Sequence, residues 1–151
     1  NTQVAFDDQG TLVARHHKFE LFEGERQTLA AGNDVSAFDT PFGRVGLLIC
    51  ADIYGDLERH TALVHDKGVD IVAFSAGWTA RGAPRWPAAF AHDWGVYVVA
   101  ANSSTGLGRG GGIFDRQGHP LLATSAGDAP ILLARLRPAP LRSAERKRGR
   151  P

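Results

Sequence analysis

The chain has few of the residues that stabilise secreted or membrane-spanning proteins. It contains one cysteine, Cys50, in 151 residues, which excludes an internal disulfide. A free thiol is compatible with a reducing compartment, so we favour the cytoplasm while leaving the localisation open. The apolar runs are only a handful of residues long. A transmembrane helix needs roughly 20 such residues, so we expect no membrane partner.

The sequence also lacks methionine and any signal-peptide pattern. Asn1 leads directly into strand-like sequence, without the basic start, apolar middle and small-residue exit of a signal peptide. We therefore expect that an upstream part of the protein precedes Asn1. Hydrophobic content of 43% and charged content of 22% are ordinary for a globular domain.

Positive charge is concentrated at the C-terminus. Residues 135–151 contain seven Lys or Arg residues and a single acid, Glu145. Because this segment is also rich in proline and poor in large apolar residues, we predict a solvated tail over 137–151, following a domain over 1–136. A basic terminus could contact nucleic acid. The rest of the chain has no basic patch with interleaved aromatic residues, so we expect no nucleic-acid partner.

Apolar strands alternate with helical patterns in the middle of the chain. Strands are predicted at residues 2–6, 11–15, 36–39, 44–49, 69–75, 96–101, 113–115 and 121–123. Helices are predicted at residues 56–67 and from about 84 to 94, and residues 16–34 are predicted as an extended loop. This order implies parallel strands with crossover helices and antiparallel hairpins at the edges. We therefore predict an α/β fold whose mixed sheet has three strands buried on both faces, around Leu47, Ile71 and Val98.

Cys50 ends the apolar strand in the stretch GLLICADI. A thiol in this place is held by a rigid strand, while the turn exposes its sulfur. Backbone N–H groups at the turn can stabilise a thiolate and a developing oxyanion. The alternative interpretation is a small buried hydrophobic residue, since free cysteine is among the most buried residue types. Taken alone, the stretch favours the buried interpretation.

The segments around this cysteine carry further motifs. They are NTQVAFD at 1–7, LVARHHK at 12–18, LFEGE at 21–25 and CADI at 50–53. Together with Gly77-Trp78 and Ala101-Asn102, they resemble the carbon–nitrogen hydrolase (nitrilase) superfamily, and most closely its biotinidase and pantetheinase (vanin) branch. The resemblance covers roughly residues 1–136. It implies a nitrilase-type αββα sandwich of which the chain is the C-terminal half, with the N-terminal part missing.

The resemblance also implies a Glu–Lys–Cys triad that cleaves non-peptide C–N bonds without a metal or organic cofactor. It places the nucleophile at Cys50 and the lysine at Lys18, whose ammonium would stabilise the thiolate and the oxyanion. Glu25 is expected to position substrate or shuttle a proton, with a plain surface glutamate as the alternative. The N–H of Ala51 is expected to donate to the oxyanion. Trp78 is expected to line the substrate site, with a buried core tryptophan as the alternative.

Several other residues are expected to have no chemical role. We interpret Asp52 and the Glu58-Arg59 pair as charges that fix the turn and the following helix. His16 and His17 are adjacent on a strand and point to opposite faces, so we expect no metal site there. The run Gly106–Gly112 lacks the Lys-Ser/Thr of a phosphate-binding loop, so we predict a plain flexible loop.

No acid here sits in the motif that carries the family's triad glutamate, so the resemblance implies that this residue belongs to a segment upstream of Asn1. The resemblance implies a thiol-dependent amide hydrolase acting through a Cys acyl-enzyme on small-molecule amides such as pantetheine or biotinyl amides. Residues 1–151 alone are expected to be inactive, and the full-length protein is expected to be a homo-oligomer. The alternatives are an inactive fragment or interaction module of the same fold, nitrile hydrolysis, or N-acyl transfer.

Overall fold

The secondary structure follows the predicted alternation of strands and helices. A computed structural model describes residues 1–78, 85–102, 111–123 and 131–137. The strands are β1 (Thr2–Phe6), β2 (Leu12–His17), β3 (Ser36–Thr40), β4 (Gly43–Ile49), β5 (Ile71–Ala76), β6 (Tyr97–Asn102), β7 (Gly112–Phe114) and β8 (Pro120–Ala123). The helices are α1 (Glu23–Arg26), a 3₁₀ helix (Cys50–Tyr54), α2 (Leu57–Thr61), a π-helical turn (Ala62–Asp66) and α3 (Arg85–Trp94).

The strands form one mixed sheet and a separate hairpin. The sheet has the order β3-β4-β5-β6-β7-β8, in which β4, β5 and β6 are parallel and the outer pairs are antiparallel. Strands β1 and β2 pair with each other in an antiparallel hairpin. The predicted α/β class with a mixed sheet and covering helices is confirmed.

The hydrophobic core lies between the six-stranded sheet and the helices. Leu48, Val72 and Val98 project from neighbouring parallel strands and are fully buried. They belong to one cluster with Leu63 of the π-helical turn and Phe90 of α3. Burial of this face holds β4 in the sheet up to Ile49, and Cys50 is the next residue.

The hairpin covers only part of the opposite face of the sheet. Gln3 donates from Nε2 to the carbonyl of Ala73 at 3.3 Å, and Leu47 beside it is 2% exposed. Val99 on β6 is 37% exposed. The prediction that the strand around Val98 is buried on both faces is therefore wrong. The hairpin packs against β3 and β4 and reaches β5 through the Gln3 hydrogen bond, which leaves Val99 accessible.

The segment predicted as a loop over 16–34 contains more regular structure than expected. Strand β2 continues to His17, and Glu23–Arg26 form a single helical turn. The Glu25 carboxylate accepts the N–H of Phe22 at 3.0 Å, which caps this turn. One turn is too short to produce a periodic hydrophobic pattern, so the loop prediction was wrong here.

The helix predicted over 56–67 is present but changes its winding at residue 62. Asp56 caps α2 by accepting the N–H of Arg59 at 3.2 Å, and the two side chains form an ion pair at 2.9 Å.

The predicted glycine-rich loop lies mostly outside the described residues. Residues 138–151 of the predicted tail lie outside them too, so the domain boundary at residue 136 stays a prediction.

Core packing predicts a clear contrast between two leucines. Leu48→Ala should lower the free energy of unfolding by about 2–5 kcal/mol, because it removes a fully buried side chain and leaves a cavity. Leu57→Ala is the matched control, since Leu57 is 71% exposed; it should change stability by less than about 0.5 kcal/mol. Urea unfolding of the complete gene product measures both. Equal effects would contradict the placement of the core.

Candidate active site

Cys50 occupies a strained turn at the end of β4. Its φ angle is 51°, and among the described residues it is the one non-glycine residue with a positive φ. Such a conformation costs on the order of 1–3 kcal/mol for a residue with a Cβ atom and persists only where neighbouring contacts impose it. The side chain is half-buried and packs partly against the core. The thiol therefore combines a fixed position with partial access.

Asp52 supplies the contacts that hold this turn. Its side chain has no exposed surface, and Oδ2 accepts the N–H of Ile49 at 2.9 Å and contacts Nε2 of His16 at 2.9 Å. Oδ1 accepts the N–H of Phe19 at 3.0 Å and that of Glu20 at 2.9 Å. One carboxylate thus joins the end of β4, the strand β2 and the segment that directly follows Lys18.

Lys18 is buried, with 1% of its surface exposed. Its ammonium forms an ion pair with the Glu25 carboxylate and lies 5.2 Å from the centroid of the Phe22 ring. Its backbone is fixed as well, because its N–H donates to Asn1 at 3.0 Å and its carbonyl accepts from Gly32 at 2.8 Å. A solvated loop lysine does not have this burial or these partners. Lys18 is therefore a positioned cation, and the two residues that follow it are hydrogen-bonded to Asp52 of the Cys50 turn.

Glu25 is the counter-ion of Lys18. Its side chain is 26% exposed, and the hydrogen bond from Lys18 lowers its pKa despite the opposing effect of burial. The carboxylate is therefore ionised at neutral pH. Glu25 thus pairs with a buried ammonium, and its role towards substrate or proton stays a prediction.

Aromatic side chains surround the same end of the sheet. Trp78 is 8% exposed, and its ring centroid lies 5.1 Å from Phe74 and 5.7 Å from Tyr54. Tyr54 also lies 4.8 Å from Trp86 and 6.5 Å from Phe22. Trp78 thus belongs to the core on one side and to an aromatic group next to the site on the other. Its burial agrees with the core interpretation, and its contact with substrate stays a prediction.

Tyr54 and Phe22 were missed by the sequence reasoning. Burial raises the pKa of the Tyr54 hydroxyl, and the nearby Cys50 sulfur raises it further. The available signals were weak: Tyr54 follows Cys50 by four residues, about one helical turn, and Phe22 lies inside the LFEGE motif. Neither spacing indicates on its own that the two rings approach each other.

Asn102 fixes the backbone of Trp78. Its side-chain Oδ1 accepts the Trp78 N–H at 2.8 Å, and its Nδ2 donates to the Trp78 carbonyl at 3.3 Å. These contacts join the carboxyl ends of β5 and β6. Within the described residues, the buried indole Nε1 of Trp78 has no hydrogen-bond partner.

The adjacent histidines separate as predicted from the strand geometry. His16 is buried against Asp52, whereas His17 is exposed and its Nδ1 lies 2.9 Å from the hydroxyl of Thr2. In the described parts of the chain, no three His, Cys, Asp or Glu side chains are grouped as metal ligands. The helices seen in those same parts are all too short or too polar to cross a bilayer.

The Lys18–Glu25 pair predicts a pH-dependent contribution to stability. Because the folded-state pKa of Glu25 lies below its ordinary value of 4.5, the ionised carboxylate stabilises the fold above that pH, and this stabilisation is lost as pH falls through the lowered pKa. Glu25→Gln should therefore be less stable than the parent at pH 7, and the difference should shrink towards pH 3. Glu23→Gln, at an exposed position of the same helix, is the control. A pH-independent difference in urea unfolding would contradict the pairing.

Comparison with known proteins identifies the family. The sequence profile of the carbon-nitrogen hydrolase family matches residues 1–133. A pantetheinase from Canis lupus familiaris is 39% identical over 107 residues, covering 68% of this chain and 21% of the relative. A biotinidase from Rattus norvegicus is 38% identical over 107 residues, covering 68% of this chain and 20% of the relative.

Solved structures share the fold. Saccharomyces cerevisiae Nit3, a member of branch 10 of the nitrilase superfamily, has a TM-score of 0.74 at 25% identity, covering 85% of this chain and 50% of its own. A mutant of the Nesterenkonia AN1 amidase has a TM-score of 0.74 at 18% identity, covering 83% and 51%. The chain spans about half the length of these structures and its matches span about a fifth of the curated relatives. It belongs to the carbon-nitrogen hydrolase family of the nitrilase superfamily, in the branch that includes the pantetheinases and biotinidases.

Proposed function

We propose that this chain carries the nucleophile and the lysine of a thiol-dependent hydrolase of non-peptide C–N bonds in small-molecule amides. The observation that carries the proposal is the arrangement at the end of β4. Cys50 lies there in a strained turn, and Asp52 ties that turn to the segment in which Lys18 is buried against Glu25. Membership of the carbon-nitrogen hydrolase family supports the same chemistry.

In the first step the Cys50 sulfur attacks the amide carbonyl carbon. The ammonium of Lys18 and the N–H of Ala51, which directly follows the nucleophile, stabilise the oxyanion that develops. The C–N bond then breaks, the thiol proton passes to the leaving amine, and the acyl group remains on Cys50 as a thioester. Charge stabilisation by a fixed cation requires no reorganisation during the reaction, and burial of Lys18 provides that fixed position.

In the second step water attacks the thioester. The C–S bond breaks, the carboxylic acid is released and the thiol is regenerated, so atoms and charge balance over the cycle. Glu25 keeps Lys18 charged and oriented through their ion pair, and its partial exposure leaves it able to contact substrate or carry a proton. The triad glutamate that the family resemblance implies is proposed as the base that activates the water.

The relatives suggest the substrate class. Pantetheine and biotinyl amides are the substrates we propose first, because the curated relatives are named pantetheinase and biotinidase. Both are amides of small carboxylic acids. Trp78, together with the neighbouring Tyr54, is proposed to contact the acyl or amine portion. The homo-oligomer, the lack of a cofactor and the lack of a nucleic-acid partner stay predictions.

Replacement of the nucleophile tests the proposal directly. In the complete gene product, Cys50→Ser should lower the rate of pantetheine hydrolysis by at least about 10³-fold, because it removes the group that forms the acyl-enzyme. Iodoacetamide should label Cys50 in the native protein, since the side chain is only half-buried. Two results together would identify Cys50 as a packing residue. They are alkylation of the thiol only after denaturation, and an unchanged rate of pantetheine hydrolysis in Cys50→Ser.

Replacement of the lysine tests the electrostatic part. Lys18→Ala should lower kcat for pantetheine by about 10²–10³-fold, since it removes a cation that stabilises the transition state. Lys18→Arg should not restore kcat, because the bulkier guanidinium spreads its charge. Lys67→Ala is the control, because the Lys67 side chain is 37% exposed and its Nζ lies 4.0 Å from Oδ2 of Asp34. A kcat close to that of the parent in Lys18→Ala would remove Lys18 from the mechanism.

A further inference from the structure

We propose that Asp52 is the positioning residue that sets Cys50 against Lys18, a role that rests on the proposed hydrolase function. Neither catalytic side chain touches Asp52 in the contacts described above. Asp52 acts instead through the backbone beside each of the two groups. A carboxylate that takes no part in bond making thereby determines the rate of acyl transfer.

The Cys50 turn is closed by Asp52 across the nucleophile. Ile49 precedes Cys50, and its N–H donates to Oδ2 of Asp52 at 2.9 Å. The three residues from Ile49 to Ala51 are thereby enclosed in a short hydrogen-bonded ring, which imposes the positive φ at Cys50. Removing this acceptor would let the backbone relax, and the sulfur would move with it.

The lysine segment is attached to the same carboxylate. Phe19 and Glu20 directly follow Lys18, and both donate their N–H groups to Oδ1 of Asp52, at 3.0 and 2.9 Å. The two oxygens of one carboxyl group therefore serve the two halves of the site. Oδ2 holds the nucleophile turn, and Oδ1 holds the chain that carries the cation. The rigid carboxyl plane fixes the distance between them.

Asp52 is itself held from two further directions. His16 of β2 contacts Oδ2 at 2.9 Å, and His60 of α2 contacts the Asp52 carbonyl with Nε2 at 2.6 Å. Burial lowers the pKa of His60, so this ring is neutral and donates from Nε2 at physiological pH. With no exposed surface on the Asp52 side chain, water cannot replace any of these donors.

Asparagine at position 52 is the sharpest probe because it keeps the shape and changes one oxygen into a donor. Its carbonyl oxygen can still accept from Phe19 and Glu20, while its NH₂ group would face the N–H of Ile49. In Asp52→Asn, the half of the network that holds Cys50 is lost while the half that holds Lys18 is retained. Asp56→Asn is the matched control, since Asp56 caps α2 and pairs with Arg59 without contacting the Cys50 turn.

The experiment uses the complete gene product well below its melting temperature and has three readouts. The first is kcat and KM for pantetheine, and the second is the rate of Cys50 alkylation by iodoacetamide. The third is amide hydrogen exchange of Ile49, Phe19 and Glu20. Asp52→Asn should lower kcat by about 10²-fold with KM changed less than about threefold, because misplacement of reacting groups acts on the chemical step. Alkylation should slow, and exchange should accelerate most at Ile49. Asp56→Asn should leave all three readouts near the parent values.

Either of two results overturns the proposal: Asp52→Asn with kcat within a few-fold of the parent, or equal losses of kcat in both variants. If the parent does not hydrolyse amides, the proposed function fails, and the alkylation and exchange data still decide whether Asp52 positions Cys50. If Asp52→Asn does not fold, His16 carries the test. His16→Gln, which can still donate to Asp52, should keep more kcat than His16→Leu at equal stability. Equal kcat in these two variants contradicts the proposal.

Discussion

A buried carboxylate must have its lone pairs filled by donors, and this requirement at Asp52 organises the end of β4. An unpaired charge in the interior would be far less stable than the same charge in water. The donors come from segments 3 to 36 residues away in the chain. The fold therefore has to bring β2, the segment after Lys18 and the end of β4 together before Asp52 can be buried. The site forms where those segments converge.

A second buried charge, on Lys18, is compensated separately. Its partner is Glu25, which is placed by a single helical turn rather than by the sheet. Lys18 and Asp52 are thus both buried, each with its own partners. The described contacts of Asp52 are with backbone N–H groups and with His16, and the ion pair of Lys18 is with Glu25. Lys18 remains a cation that can act on a thiolate or an oxyanion beside it.

The sequence predicted much of the fold because period and length are local properties. The apolar strands of the sheet and the helix after the Cys50 turn follow from hydrophobic pattern and stop signals. The single turn at α1 did not, since four residues carry no periodicity. The exposure of Val99 could not be predicted either, because it depends on how far the hairpin extends over the sheet.

For the site, motifs predicted which residues to inspect but not how they are connected. Cys50, Lys18 and Glu25 stand out through resemblance. The structure pairs Lys18 with Glu25, and the catalytic roles of the three residues stay predictions. Three of the donors to Asp52, and the approach of Tyr54 to Trp78, are contacts between residues at least 24 positions apart. The fourth donor, the N–H of Ile49, depends on the direction of the Asp52 side chain within the turn. No spacing rule in a single sequence encodes such contacts.

The central claim is that the Cys50 sulfur becomes acylated during turnover. The most direct measurement is acid quenching of the complete gene product within milliseconds of mixing with pantetheine, followed by peptide mass mapping. We predict a thioester of the acyl part on the peptide that contains Cys50, which disappears as the substrate is consumed. Hydrolysis with no covalent adduct, or with an adduct on another residue, would contradict it.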